Sequence, residues 1–485
     1  PTTVASATSF LYTGANPVQQ GVAAGTIVAK RASVIRGRVL DTQGAPLPGV
    51  TVQVADHPEF GTSSSQADGE IYLAVNGGGP LTVRLSKDGH LPVERVVQVP
   101  WNDYAHLSDD VRLTALDQNV TPVDLGVLSP GQVARGSVET DVAGSRQATL
   151  IFPPDTSASL VMPDGSQQPV SQLHVRATEY TVGANGKQAM PGMLPAQSAY
   201  TYAADFTADE AITAGAKSIE FSRPVAGYLE NFLNFPVGTA VPSGYYDSAT
   251  HAWVAQPDGV VVKVLSTSGG QATLDIDGSG NAASGAQLAA LGVDDAELTR
   301  LAALYTAGQS LWRTPMRHFT PWDWNWARRI ITNVIEPVVS KALNLIDGVC
   351  RVIGSDIECE NQTLGEDHDV AGTPHSLDYR SSRTIGRVGE NDTLDLDVTP
   401  ASIPPGLARI NASVQVAGRV FARTYLPAPN ISWHVVWDRK DAFGRRLQGG
   451  QLAKVHISYE YPTVFASVSA GASGGGGAAV TRFGN

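Results

Sequence analysis

Short alternating apolar runs, punctuated by Gly, Pro and Asp, predict a mainly β chain of several tandem β-sandwich domains with one or two short helices. Three observations carry this expectation. The 485 residues include 49 Gly and 30 Pro, enough punctuation for many turns. Charged residues make up only 16% of the chain, so the Glu/Lys-rich blocks typical of long helices are scarce. Period-3.6 spacing of apolar residues appears in just two stretches, whereas period-2 alternation recurs along the whole length. A chain this long exceeds one core and divides into about three or four domains.

The net charge of −12 leaves no basic stripe to neutralise phosphates, which argues against a nucleic-acid partner. The sequence contains no apolar run long enough to span a bilayer as a helix. Cys350 and Cys359 are the two cysteines. With no further Cys or His nearby they cannot complete a tetrahedral zinc shell, and a local disulfide and two reduced thiols both remain open. The opening PTTVASATSF lacks an initiator Met and a signal pattern, and the end runs through GASGGGG, so the chain reads as a piece of something longer.

In order, residues 1–32 are small and polar and read as an extended lead-in. Residues 33–115 read as a compact sandwich: VIRGRVLDTQGAPLPGVTVQV, SSSQADGEIYLAV and LTVRLSKDGHLPVERVVQV alternate around turns at Gly44-Ala45-Pro46, Asp68-Gly69 and Asp88-Gly89. A second β-region covers 116–200, and a third β-unit covers 201–328. Within the third, VPSGYYDSATHAWV reads as a hairpin with Tyr245, Tyr246 and Trp253 facing across strands. A helix over 294–307 starts on an Asp294 cap with Glu297 three residues on. A helical connector follows at 329–348, bent at Pro337.

The span 349–465 is read as a last β-unit. Trp433, Val435 and Trp437 alternate with His434 and Val436, a turn-rich DRKDAFGRRLQGG follows, and Ala453, Val455, Ile457 and Tyr459 alternate again, which predicts a hairpin. Residues 466–485 are a Gly-rich linker without the Lys and Ser/Thr of a nucleotide cradle.

Three constellations could carry chemistry. Asp275, Asp277 and Ser279 sit where a calcium loop begins, with Gly280 at position six, but Ala286 stands where the bidentate Glu should be; a plain Asp/Gly turn explains the same residues. His318, Phe319 and Thr320 place a hydroxyl two residues after a base, and the aromatic cluster Phe319, Trp322, Trp324 and Trp326 reads equally as packing at a domain junction. His368 and His375, with Asp367, Asp369 and Asp378, lie in loop-rich sequence without the fixed spacing of a site. No catalytic constellation emerges, and no cofactor beyond that calcium candidate.

Residues 34–113, with their G-x-V-x-D and G-x-P-L-P-G-V-x-V patterns, resemble the transthyretin-like domain of carboxypeptidase regulatory regions. The segments IECENQTLGE, GTPHSLDYRSSRTIGR and WHVVWDRKDAFGRRLQGG resemble the stretch ahead of the repeats in Rhs/YD-repeat proteins, which are related to the teneurins. His318–Thr320 also resembles the His-x-Ser/Thr triplet of autoproteolytic sandwiches of the GAIN type.

The Rhs/YD-repeat resemblance implies a non-catalytic, secreted or cell-surface scaffold whose last domain, 349–465, is an immunoglobulin- or fibronectin-like plug of a hollow β-shell, with that shell and its enclosed toxin or other cargo as partners. Trp433, Trp437 and Phe443 are then the residues expected in core or plug packing, and Arg380, Arg383 and Arg387 those expected in polar contacts at its edge. The alternatives are a surface adhesin and a self-cleaving module.

Overall fold

The computed structural model describes residues 3–125, 131–183, 185–195, 198–326, 355–357, 364–369, 376–380, 392–447 and 451–461. It is mainly β, with several sheets and a few short helices.

The first sandwich follows from its alternation. Strand Ala32–Leu40 pairs antiparallel with Glu70–Asn76 and parallel with Tyr104–His106 and Val111–Arg112. The facing sheet runs Thr62–Ser64, Thr51–Val54, Gly79–Ser86, Val93–Val99. Ile35, Val52, Leu73, Val83 and Val93 are fully buried between them. The Asp68-Gly69 turn requires its glycine: φ is +80°, and a Cβ there would stand 2.4 Å from the Val39 carbonyl oxygen.

The N-terminal residues depart from an extended lead-in. Val4–Thr8 form a short helix with a Thr3/Ser6 capping box. Leu11 is buried against the sandwich. Gln19 is buried too, donating to the Phe60 and Ala74 carbonyls and accepting from the Ala74 N–H. A buried amide with three backbone partners stitches this segment down.

The border expected at residue 200 is crossed by a single 13-stranded sheet. Ala203–Ala208 pairs with Gln172–Glu179 before it and with Pro321–Asp323 after it. The Gly/Pro-rich stretch between 182 and 200 is the long loop of the hairpin that Gln172–Glu179 and Ala203–Ala208 form. The two end strands, Thr121–Asp124 and Gln132–Arg135, meet without a ladder: the Asp124 N–H donates to Gln132 Oε1 at 2.9 Å and Asn119 Nδ2 to the Arg135 carbonyl at 2.9 Å. The sheet thus curls around an aromatic core of Phe152, Phe206, Phe319, Trp312, Trp322, Trp324 and Trp326. The tryptophans expected at a domain junction are this core, with Trp326 stacked on Phe235 at 4.0 Å.

The hairpin at 240–266 forms as expected, with Tyr246 opposite Trp253. The helix is Asp295–Leu304, and the Asp294 side chain accepts from the Glu297 N–H. Glu297 then turns inward, and Arg313 meets it through Nε at 2.7 Å and Nη2 at 2.9 Å, both side chains buried.

In the last domain the alternation is as expected but the partner is not. Ser432–Val436 pairs with Thr393–Asp397, while Ala453–Glu460 pairs with Arg409–Val416, which also carries Arg419–Tyr425. The two alternating runs lie in different sheets and share a core of Trp433, Val435, Ile410, Val414 and Ile457. The segment between them crosses from sheet to sheet instead of turning back, because its residues are held elsewhere. The expected connector at 329–348 and the linker at 466–485 lie outside the described residues.

Removing one partner of the buried pair leaves the other charge uncompensated. Arg313→Ala is therefore expected to cost about 3–5 kcal/mol, and Glu297→Leu with Arg313→Leu together distinctly less than the single truncation, read from urea unfolding.

Candidate functional site

The strand-to-strand crossing of the last domain forms a docking face on the first sandwich. An Asx turn shapes it: Asp441 Oδ1 accepts from the Phe443 and Arg445 N–H groups at 2.9 Å. Phe443, presented by that turn, packs edge-on against Phe10 at 5.1 Å and near Tyr72 at 5.0 Å. The Arg445 guanidinium lies 4.7 Å from the Phe10 ring centre and donates to the Ala7 carbonyl. From the sandwich, Arg36 bonds Glu70 at 3.1 Å and donates to the Gly418 carbonyl. Gly418 has φ +78°, and a Cβ on it would stand 2.7 Å from the Tyr104 ring. Lys454 and Asp103 close the seam at 2.5 Å. Burial pushes the Tyr104 hydroxyl well up and lowers His106 to about 4, so both are neutral in this seam near pH 7.

A second junction joins the sandwich to the middle domain. Glu94 is buried and holds three groups: Arg84 at 3.1 Å, the Tyr246 hydroxyl at 2.7 Å and His251 Nδ1 at 2.8 Å. His251 Nε2 lies 3.3 Å from Asp56. Arg95 donates to the Met190 and Gln188 carbonyls, and burial lowers it to about 10. Beside this junction opens a cleft of about 800 Å³, lined by Leu91, Leu116, Asp205, Tyr245, His318 and Thr320 among others.

The sequence-selected residues fall as follows. Trp433 is in the core of the last domain. Trp437 is half-buried and donates to the Lys440 carbonyl at 2.8 Å. Phe443 lies in the docking seam rather than in a core. Arg380 ends strand Ser376–Arg380. The side chain of Arg380, together with Arg383, Arg387, His375, Cys350 and Cys359, lies outside the described residues. His368 is exposed on strand Leu364–Asp369.

In the Asp/Gly loop both Asp275 oxygens face inward to backbone N–H groups, those of Asp277, Gly278 and Gly280. Asp277 likewise accepts from the Ser279 N–H. These carboxylates serve their own turn. Among the described residues no cluster of three or more His, Cys, Asp or Glu is arranged to hold a metal.

His318 and Thr320 do meet, Nδ1 to Oγ1 at 3.2 Å, at the bend between two strands. Burial lowers the imidazole, which favours its neutral form. The peptide between them is nevertheless held on both sides: Phe319 pairs with Ile219, and the Thr320 carbonyl accepts from the Phe206 N–H. Neither residue has a positive φ. Sequence reasoning missed Glu94, His251 and Asp205. Two of the three Glu94 partners, Tyr246 and His251, lie more than 150 residues away, and nothing local signals them.

The family description "Teneurin TTR-like domain" matches residues 27–113, and "Teneurin 1-4, FN-plug domain" matches 393–468. Mouse teneurin-3 is 35% identical over 102 residues, 21% of this chain and 4% of that protein. Human teneurin-4 is 33% identical over 126 residues, 26% of this chain and 4% of its own length. Fruit-fly teneurin-m is 32% identical over 107 residues, 22% and 4%. The chain thus spans about 4% of the length of the curated relatives it matches. A streptococcal ancillary pilin overlays 30% of this chain and 45% of its own at a TM-score of 0.15 and 13% identity, and nothing follows from so remote a likeness. The chain therefore has a teneurin-like arrangement of a TTR-like domain and a plug domain, with residues 114–392 between the matched spans.

Two outcomes are expected. Burial opposes the charge on His251, but its bonds to Glu94 and Asp56 outweigh it and raise the group above its usual value of about 6.5. A group raised on folding stabilises fully below the unfolded value and loses that contribution as pH climbs through the folded one. The melting temperature of the wild type should therefore fall more than that of His251→Gln between mildly acidic and alkaline pH. Second, the denatured wild-type chain should show one intact mass, identical to Thr320→Ala apart from the substitution; a split at Phe319–Thr320 would revive self-cleavage.

Proposed function

We propose that this chain is the non-catalytic N-terminal scaffold and plug of an exported Rhs/YD-repeat protein, secreted or held at the cell surface. Its last domain closes a β-shell formed by later parts of the same polypeptide, and the shell encloses a toxin or other cargo. The observation that carries the reading is the docking seam. The plug domain does not hang free but is clamped to the TTR-like sandwich by Arg36, Phe443, Arg445 and Lys454.

A stopper must hold its position against whatever it closes, and a seam combining aromatic packing with the buried Arg36 guanidinium bond resists tilting better than a flexible tether. The remaining face of the plug still offers half-buried and exposed side chains to a lumen, Trp437, Val436 and Leu452 among them. Tyr-Asp repeats encoded after Asn485 and a closed shell with residues 393–460 at one end, seen by electron microscopy of the full polypeptide, would establish it. A full polypeptide without such repeats would end it.

The seam itself is directly testable. Gly418→Ala pushes a methyl into the Tyr104 ring and strains a positive φ, so it should undock the plug while leaving each domain folded. Phe443→Ala should weaken docking by about 1–3 kcal/mol. Limited proteolysis between the domains and a single- versus two-step melt would show either effect.

A further inference from the structure

The cleft beside the Glu94 junction contains a group that nothing described so far uses. Asp205 sits on strand Ala203–Ala208, where alternation sends Ala204 and Phe206 into the aromatic core and Ala203 toward Leu91 of the sandwich. Asp205 shares the face of Ala203 and lines the cleft with Leu91, Leu116 and Pro191. It is only 8% exposed, yet its carboxyl group forms no hydrogen bond or ion pair among the described residues. The Tyr180 hydroxyl is also buried without a partner among the described residues and feels the Asp205 charge.

A buried carboxylate without a partner is costly, and proteins keep one chiefly where something else supplies the missing charge. Burial alone raises this carboxyl to about 7, so a proton and a cation compete for it near neutrality. Of the Lys and Arg residues lining the cleft, Arg84 is engaged by Glu94 and Lys87 by the Pro48 carbonyl, while the exposed Lys217 forms no ion pair with Asp205.

We infer that this cleft binds a primary ammonium group on an aliphatic stem, with the charge seated on the Asp205 carboxylate and the stem along Leu91, Leu116 and Pro191. The ammonium restores the pairing that the fold leaves open, and the aliphatic stem covers apolar wall that water meets poorly. The volume of about 800 Å³ admits either a free alkyl diamine or a lysine side chain with part of its backbone. The site is independent of the plug and its shell.

The test is calorimetric titration of the full chain with 1,5-diaminopentane and with Nα-acetyl-lysine methylamide, using 1,5-pentanediol and maltotriose as neutral controls. Both amines should bind and raise the melting temperature, and the tighter of the two identifies the natural source of the ammonium. Asp205→Asn is nearly isosteric and removes a buried charge, so it should remain folded by circular dichroism while binding the amines at least about tenfold more weakly. Amine binding unchanged in Asp205→Asn, binding of the diol or the trisaccharide as tight as that of the amines, or no binding of either amine would each overturn the inference.

Discussion

The bond from the Arg36 guanidinium to the Gly418 carbonyl spans 382 residues of sequence, and the arrangement of the whole molecule depends on it. It joins the TTR-like sandwich directly to the plug domain, so the middle domain leaves and returns without separating them. Such a detour is thermodynamically cheap. The entropy of closing a loop grows only with the logarithm of its length, about 0.6 kcal/mol per doubling, and a folded insert presents its own ends close together. The seam therefore needs only a few well-buried contacts to hold, provided its geometry is uncompromised. Gly418 supplies that geometry by letting the plug backbone approach the Tyr104 ring with no side chain between them.

The middle domain is anchored by different chemistry. Where the plug seam relies on guanidinium and aromatic groups, the Glu94 junction gathers one buried carboxylate and three donors from two domains. Because its imidazole titrates, this junction responds to pH, whereas the neutral Tyr104 and His106 of the plug seam are indifferent to it around neutrality. One side of the sandwich is thus a fixed mount and the other an adjustable one.

Local chemistry was legible in the sequence, and long-range pairing was not. The Asp68-Gly69 turn, the Asp294 cap and the Tyr246–Trp253 pair could be read because each is settled within a few residues. The same alternation that marks Trp433 and Val435 as inward-facing does not say which strand lies beside them, since period-2 patterning fixes a face and never a neighbour. The border drawn at residue 200 failed for that reason: a Gly/Pro-rich hairpin loop and an interdomain linker have the same composition. Asp205 was invisible for another. A carboxylate in the middle of AADFTA becomes meaningful only once the surrounding sheet has removed its water.

The curled sheet of the middle domain has one stave that is not nailed down. Between Thr121–Asp124 and Gln132–Arg135 the ladder is replaced by bonds from the Gln132, Asn119 and Thr121 side chains, which exchange with water far more readily than a cooperative run of amide pairs. Amide protons along that join would be the first in the barrel to trade for deuterium. The body would open there like a book at its fore-edge while the tryptophan-filled spine stays shut.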